Sequence, residues 1–307
     1  MSESDQNIQL ISNNSIDRVW WDSLVDRSAG PNIYCYSWYL DAVSENWDAL
    51  VDKQNDLAFP IPWVSKKGVD IIYQPFFSRE LNLIGGGEFN SAWYSKLPST
   101  FKLVDFSIGV GLDKIEAEVN EVVHQELILN TDYDTLRTGF SKNVKRILNK
   151  PEGIEVKQEG EVKELIQLFE KTVGESLNFT TDNLTRLERL MNVGIQRGVG
   201  KVYSSYVNGA LAATGYFFIQ NNRVTYLKGA TTELGKSRGA MHFIFNELIK
   251  LHSSSEMVLD FGGSKIESIA SFYKRFGAVD RPYYMYSKNS LPWVLKKAKG
   301  LRDKLKK

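Results

Sequence analysis

The stretch Thr231–Gly239, reading Thr-Thr-Glu-Leu-Gly-Lys-Ser-Arg-Gly, joins an alternating apolar run to a long helical one. Backbone N–H groups at the start of a helix lack partners within it, and the helix dipole favours negative charge there. Gly235 and Gly239 let that backbone come close to an anion, and Lys236 and Arg238 add charge around Ser237 and Ala240. Such a cradle suits a phosphate or pyrophosphate. The alternative is a solvated turn in which Ser237 caps the helix and the basic residues are incidental. A second segment, Ala270–Gly277, reads as a helix end that places Tyr273 four residues before a glycine suited to a C-cap, with a strand to follow.

The elements that must position these residues fall into two halves, 1–130 and 131–307. The first half offers two helices, near Ile16–Leu24 and Tyr36–Asn46, then short apolar runs at Ala49–Val51, Leu57–Val64 and Val69–Tyr73 in the pattern of a β-meander. Pro60 and Pro62 mark the middle run as an edge or bulged strand. Gly85–Gly87 breaks the chain before a short helix near Asn90–Leu97 and strands at Lys102–Phe106 and Asn120–Leu129. In the second half, Leu136, Phe140, Val144, Ile147 and Leu148 fall at the spacing of one helix. Further helices are read at Val162–Thr172 and Leu184–Gly194. Strands at Val202–Val207, Ala210–Ile219 and Arg223–Gly229 follow, the first two joined by Asn208-Gly209, a strong hairpin signal. A helix from about Arg238 to His252, a buried strand at Met257–Phe261, a helix at Ile266–Arg275 and a strand at Tyr283–Ser287 complete the pattern. From Leu291 the tail reads as a basic amphipathic helix.

Composition excludes several classes. The chain has 307 residues, 42% of them hydrophobic, and a net charge of +1, so no global basic excess points to a polyanion. One cysteine, Cys35, rules out an intramolecular disulfide and a cysteine-based metal cluster. Three scattered histidines, His124, His242 and His252, show no ligand spacing, so no metal is expected. His242 reads as a packed or surface histidine. The polar N-terminus does not have the form of a signal peptide, and no run approaches the length of a membrane span, so a soluble cytoplasmic protein is expected.

The order of meander, glycine-bearing loop, long helix and Tyr273–Gly277 resembles the GNAT N-acyltransferases. In that superfamily a loop of the form Arg/Gln-x-x-Gly-x-Gly/Ala binds pyrophosphate, and a later helix ends Tyr-x-x-x-Gly-Phe. Gly235–Ala240 stands where the loop belongs, although its Arg/Gln and first glycine are displaced, and Ala278 replaces the usual phenylalanine. The helix Phe140–Lys150, the string Leu259–Ser264 and Tyr73-Gln-Pro-Phe-Phe also look like the duplicated, FemAB-like acyltransferases. Tyr273 stands where Fem enzymes carry a lysine, which leaves acyl-CoA at least as apt a donor as aminoacyl-tRNA.

The resemblance implies an α+β fold of two tandem GNAT-like domains, each a mixed, mostly antiparallel sheet flanked by helices. The first would be a degenerate domain over 1–130. The second, over 131–307, would hold the donor loop, and a terminal helix at 291–307 would pack back on the first. It implies direct attack of an amine on an acyl-CoA thioester, without a metal, and an acceptor held between the domains. Tyr273 would then protonate the departing thiolate. The amides of Gly229, Ala230 and Thr231 would polarise the carbonyl, and Glu233 or Asp260 would serve as base. For each of these side chains a structural role, as core tyrosine, cap or surface carboxylate, is the competing reading.

Gly229–Thr231 and Gly235–Ala240 make up the expected donor site, and the acceptor would be a small or lipid-linked amine. Two other functions stay open: an aminoacyl-tRNA-dependent transferase acting on a cell-wall precursor of the bacterial envelope, and a non-catalytic GNAT pair used for binding. Lys142, Lys145, Arg146 and Lys150 form a basic helix face that would meet tRNA phosphates or simply be solvated. The basic tail would contact an anionic membrane surface or dock on the first domain through Trp293 and Leu301. Phe76, Phe77 and Trp93 are candidates to line a substrate cleft.

Overall fold

The computed structural model describes residues 7–112, 117–174, 180–263, 266–293 and 296. Twelve strands and ten α-helices occur among them. In chain order they are β1 (Gln9–Ile11), α1 (Arg18–Arg27), α2 (Ser37–Val43), β2 (Asn46–Asp52), β3 (Leu57–Lys66), β4 (Val69–Tyr73), α3 (Ser91–Ser95), β5 (Leu103–Ile108) and β6 (Glu118–Ile128). There follow α4 (Tyr133–Thr138), α5 (Lys142–Leu148), β7 (Ile154–Lys157), α6 (Val162–Phe169), α7 (Thr181–Gln196), β8 (Gly200–Val207), β9 (Ala210–Gln220) and β10 (Arg223–Thr231). The last are α8 (Glu233–Arg238), α9 (Ala240–His252), β11 (Val258–Asp260), α10 (Glu267–Lys274) and β12 (Val279–Asn289). The chain forms two compact units, 1–122 with 282–307, and 123–281.

In the first unit the strand order is β1-β2-β3-β4-β5-β12. Neighbours are antiparallel except β4 and β5, which run parallel from Ile71↔Leu103 to Tyr73↔Asp105. Asp17 caps α1 by accepting from the amides of Val19 and Trp20, and α1 buries Trp21, Leu24 and Val25. Trp21 meets Trp47 of β2 at 5.1 Å between ring centroids, and Phe59, Phe106 and Tyr286 fill the core beside them. Pro60 and Pro62 sit in a strand flanked on both sides in the sheet order, but β4 pairs only with Trp63–Lys66, so both prolines fall before that ladder begins. The strand read near 283–287 hydrogen-bonds to β5, from Tyr284↔Ile108 to Asn289↔Leu103.

The second unit has the order β7-β8-β9-β10-β11-β6. Again all neighbours are antiparallel except one pair, β10 and β11. Asn208 and Gly209 both take positive φ, as a two-residue hairpin of twisted strands requires. One sheet face packs on α9, where Phe217 meets Phe245 at 5.8 Å. On the other face the Tyr216 hydroxyl donates to the Met191 carbonyl of α7.

The helix expected across 136–148 is two. Asp132 caps α4 and Ser141 caps α5, and the Ser141 amide donates to the Arg275 carbonyl at 2.8 Å. The chain is thus turned at Gly139, which lies against Gly277. Two capping side chains within ten positions outweigh a continuous apolar period. Most of the tail read as a terminal helix lies outside the described residues, including Leu301. Trp293 is 69% exposed. No helix among the described residues is long and apolar enough to cross a membrane.

Candidate active site

The second unit opens where its parallel pair stops. β11 accompanies β10 only from Arg223↔Val258 to Thr225↔Asp260, while β10 continues to Thr231. Over residues 226–231 the edge of β10 that faces away from β9 therefore has no strand partner among the described residues. A bulge between Tyr226 and Lys228 adds to this, since a bulged residue leaves the ladder and re-aims its neighbours. Gly229, Ala230 and Thr231 all lie in this free stretch, paired on their other side with Gly215, Thr214 and Ala213. Alternate amides of a strand point to opposite edges, so part of this set faces the opening.

Aromatic side chains line the α9 side. Tyr273 of α10 is 6% exposed and packs on Phe261 at 4.9 Å, Phe272 at 5.7 Å and Tyr226 at 6.3 Å. Burial pushes its hydroxyl well above the usual tyrosine range, and the neighbouring Tyr226 and the Asp260 charge push the same way. It is therefore protonated at neutral pH. Gly277, four residues on, has φ +85° and its amide donates to the Lys274 carbonyl, the expected left-handed end of α10.

At the closed end, where β10 and β11 still pair, charges are locked together. The Arg223 guanidinium reaches Glu126 at 2.5 Å and Asp260 at 3.0 Å, His124 Nε2 lies 2.9 Å from Glu126, and Arg281 Nε lies 3.6 Å from it. Burial works to raise the Glu126 carboxyl, but hydrogen bonds from His124 and Arg223 and the guanidinium charge outweigh it and hold the group at about 2. His124, Glu126 and Asp260 have the types and spacing of a metal triad. Arg223 already bonds two of them, so the set works as an ion-pair network. Asp260 is 1% exposed, and its other oxygen accepts from the Gly262 amide at 2.9 Å. Gly262, with φ +77°, lies so close to β10 that a Cβ would stand 2.7 Å from the Tyr226 carbonyl oxygen. The string Leu259–Gly263 thus forms the floor of the opening, and Asp260 is committed to holding it.

The stretch 231–239 is more ordered than a cradle loop. Thr232 caps α8 by accepting from the Gly235 amide, and the Lys236 amide bonds to the Thr232 carbonyl. Gly235 is required by packing, because a Cβ there would lie 2.1 Å from the Ala212 carbonyl oxygen of β9. Ser237 caps nothing and donates to the Leu234 carbonyl. Lys236 pairs with Glu233 at 2.6 Å on the surface, and Arg238 donates to the Glu152 carbonyl at 2.6 Å. Glu233 is thus an exposed first-turn carboxylate of α8. At the start of α9 the N-cap Gly239, at φ +70°, supplies no side-chain bond, and the His242 amide donates to the Gly239 carbonyl at 2.9 Å. Gly239 also lies against Ile147 of α5, so the exposed Lys142 and Arg146 belong to a helix that touches this helix start, and the exposed Lys150 follows its end. His242 packs between Phe272 and Phe276 at 4.9 and 5.8 Å. In the first unit, a cavity of about 390 Å³ is lined by Asn82, Gly86, Gly87, Phe89 and Gly109; Phe76 and Phe77 are not among its walls, and Trp93 is buried in the core.

Gly229 lies beside Met241 of α9 and Tyr226 beside Tyr273, whereas Asp260 and Glu233 are tied into other bonds. It also adds a residue that no motif marked. Lys228, beside the bulge, is half-buried and has neither a hydrogen bond nor an ion pair among the described residues. Burial lowers its pKa. Only the register shift of β10 reveals it, and a bulge leaves no reliable trace in an apolar alternation.

No family model and no curated protein matches the sequence. Solved structures do match over nearly the whole chain. The crystal structure of FemX aligns with a TM-score of 0.64 at 11% identity, covering 92% of this chain and 98% of that one. A conserved protein of unknown function from Bacteroides thetaiotaomicron VPI-5482 aligns at 0.60 with 14% identity, covering 89% and 97%. A tandem GNAT protein from the clavulanic acid biosynthesis pathway aligns at 0.55 with 10% identity, covering 93% and 99%. At these identities the likeness is one of fold. The chain has a GNAT-like fold of mixed sheet and helices.

Proposed function

We propose that the chain is an acyltransferase built of two tandem GNAT-like domains, that its donor is an acyl-CoA bound at the free edge of β10, and that its acceptor is an amine. The observation that carries this reading is the unpaired stretch 226–231 with the protonated Tyr273 beside it. An extended donor with amide groups fits an unpaired strand edge, because it can supply the missing hydrogen bonds. Its phosphates fit the uncapped start of α9, where backbone amides and the helix dipole favour negative charge. The amine nitrogen attacks the thioester carbonyl, the C–S bond breaks, and the sulfur takes the Tyr273 proton. Edge amides among Gly229–Thr231 stabilise the oxyanion in the interval.

Calorimetric titration with acetyl-CoA and longer acyl-CoAs tests the donor. Saturable binding, with a rise in melting temperature by mass action, is the expected result. Absence of binding at millimolar concentration removes acyl-CoA as donor. The contact between Gly239 and Ile147 favours one second reading. The basic helix α5 borders the anion end, so a longer polyanion such as an aminoacyl-tRNA would find charge continuing past α9. The same Tyr273 proton would then go to a departing ribose oxygen.

A further inference from the structure

The proposed reaction needs a base as well as an acid, and both carboxylates suggested by the sequence are engaged elsewhere. Asp260 is closed in by Arg223 and Gly262, and Glu233 lies on the surface with Lys236. The strand register offers another group. Tyr226 pairs with Phe217 and Lys228 with Tyr216, neighbours on β9 whose side chains point to opposite faces. Phe217 lies on the α9 face and Tyr216 on the α7 face. The bulge therefore turns Lys228 to the face opposite Tyr226 and Tyr273, along the same unpaired edge.

We infer that Lys228 is the proton acceptor of the transfer reaction, taking the proton from the attacking amine on one side of the β10 edge while Tyr273 protonates the leaving group on the other. This rests on the acyl-transfer reading. In a tetrahedral adduct the entering nitrogen and the departing sulfur occupy different corners, so acid and base on opposite faces of one strand edge match the two proton transfers. The acceptor enters as its free amine, the extra ammonium proton having gone to solvent. Its lone pair forms the C–N bond, and the neutral Nζ takes the one proton that the nitrogen sheds as the amide forms. The C–S electron pair leaves on sulfur, which takes the Tyr273 proton. The Lys228 ammonium then returns its proton to the tyrosinate through water, restoring both groups.

The surroundings suit a lysine that is neutral for part of the time. Its neighbour on the same sheet face, Tyr216, is held protonated by burial and donates to the Met191 carbonyl. The buried faces of α6 and α7 present Val162, Leu165, Phe169, Leu187, Leu190 and Met191, none of them titratable. The turn after α6 packs beside β10 and carries Glu170 and Lys171, both exposed. The short helix α8 also packs on β10 and carries Glu233, Lys236 and Arg238, which bond to each other or to Glu152, so among the described residues desolvation is what bears on the Lys228 charge.

Competitive trace labelling with acetic anhydride from pH 6 to 11, read for each lysine by mass spectrometry, tests the protonation without any substrate. The inference predicts that Lys228 titrates below the exposed lysines of the chain. A midpoint equal to theirs overturns it. Calorimetry with acetyl-CoA on the same preparation reports separately on the donor. Once a donor and amine support thiol release, Lys228→Met and Lys228→Arg should each lower kcat at pH 7.5 by about 10²-fold or more with donor Kd unchanged. They should also abolish the ascending limb of the pH profile. Near-full activity of Lys228→Arg, which keeps the charge but cannot give up its proton, would show a charge-binding role and overturn the inference.

Discussion

In the first unit β5 accompanies β4 to its last residue, Tyr73, and the chain then turns through Gln74–Phe77 without a long helix. In the second unit β11 leaves β10 at Thr225, β10 runs on to Thr231, and the thirteen-residue helix α9 follows. Both units have three antiparallel pairings, one parallel pairing and one more antiparallel pairing in the same order. The strand plan is shared, and what differs is how far the parallel pair stays together. Strand order fixes the scaffold, whereas an extended ligand needs unpaired backbone, and among the described residues it is the second unit that leaves it, beside Tyr273 and Lys228. On this account the donor belongs to the second unit.

The largest expected effect falls on the acid. Tyr273→Phe keeps the aromatic packing and removes the hydroxyl, so kcat for acyl transfer should fall about 10²- to 10⁴-fold with donor Kd little changed, in steady-state and binding assays. Full activity in this variant would detach the opening from the chemistry. Next comes the floor of the opening. Gly262→Ala places a Cβ against the Tyr226 carbonyl at φ +77°, and should destabilise the second unit by about 1–3 kcal/mol in denaturant unfolding.

The charge network gives a pH signature confined to this unit. Glu126 sits at about 2 when folded and near its ordinary 4.5 when unfolded. A depressed carboxylate stabilises the fold above the unfolded value, and that contribution is lost as pH falls from about 5 through 2. At 1.36 kcal/mol per unit the upper bound is about 3 kcal/mol, less the share that solvent screens at the half-open Arg223. Glu126→Gln should be less stable at pH 7 and show a flatter stability curve between pH 5 and 2. The smallest effect is expected for Lys236→Ala with Arg238→Ala. Both side chains have other partners, so donor Kd should rise only a few-fold, under about 1 kcal/mol.

The sequence made the scaffold legible through hairpin and cap chemistry. Asn208-Gly209 and the glycine after Tyr273 are local rules, and both hold in the structure. The site was less legible because its chemistry depends on partners distant in sequence. Nothing local says that Asp260 meets Arg223, or that Arg238 turns to Glu152. Gly235 looked like room for an anion and is room for the Ala212 carbonyl. Lys228 stayed hidden because a one-residue bulge reverses the face of every later side chain on its strand. The strand at Val279–Asn289 reads locally as a strand, but its pairing with β5 is a property of the folded chain.

Hydrogen exchange measured with and without saturating acetyl-CoA tests the asymmetry between the units most directly. The account predicts added protection at residues 226–231 and at the first turn of α9, with 69–77 of the first unit unchanged. Protection at 69–77, or none on the β10 edge although the ligand binds, would contradict it.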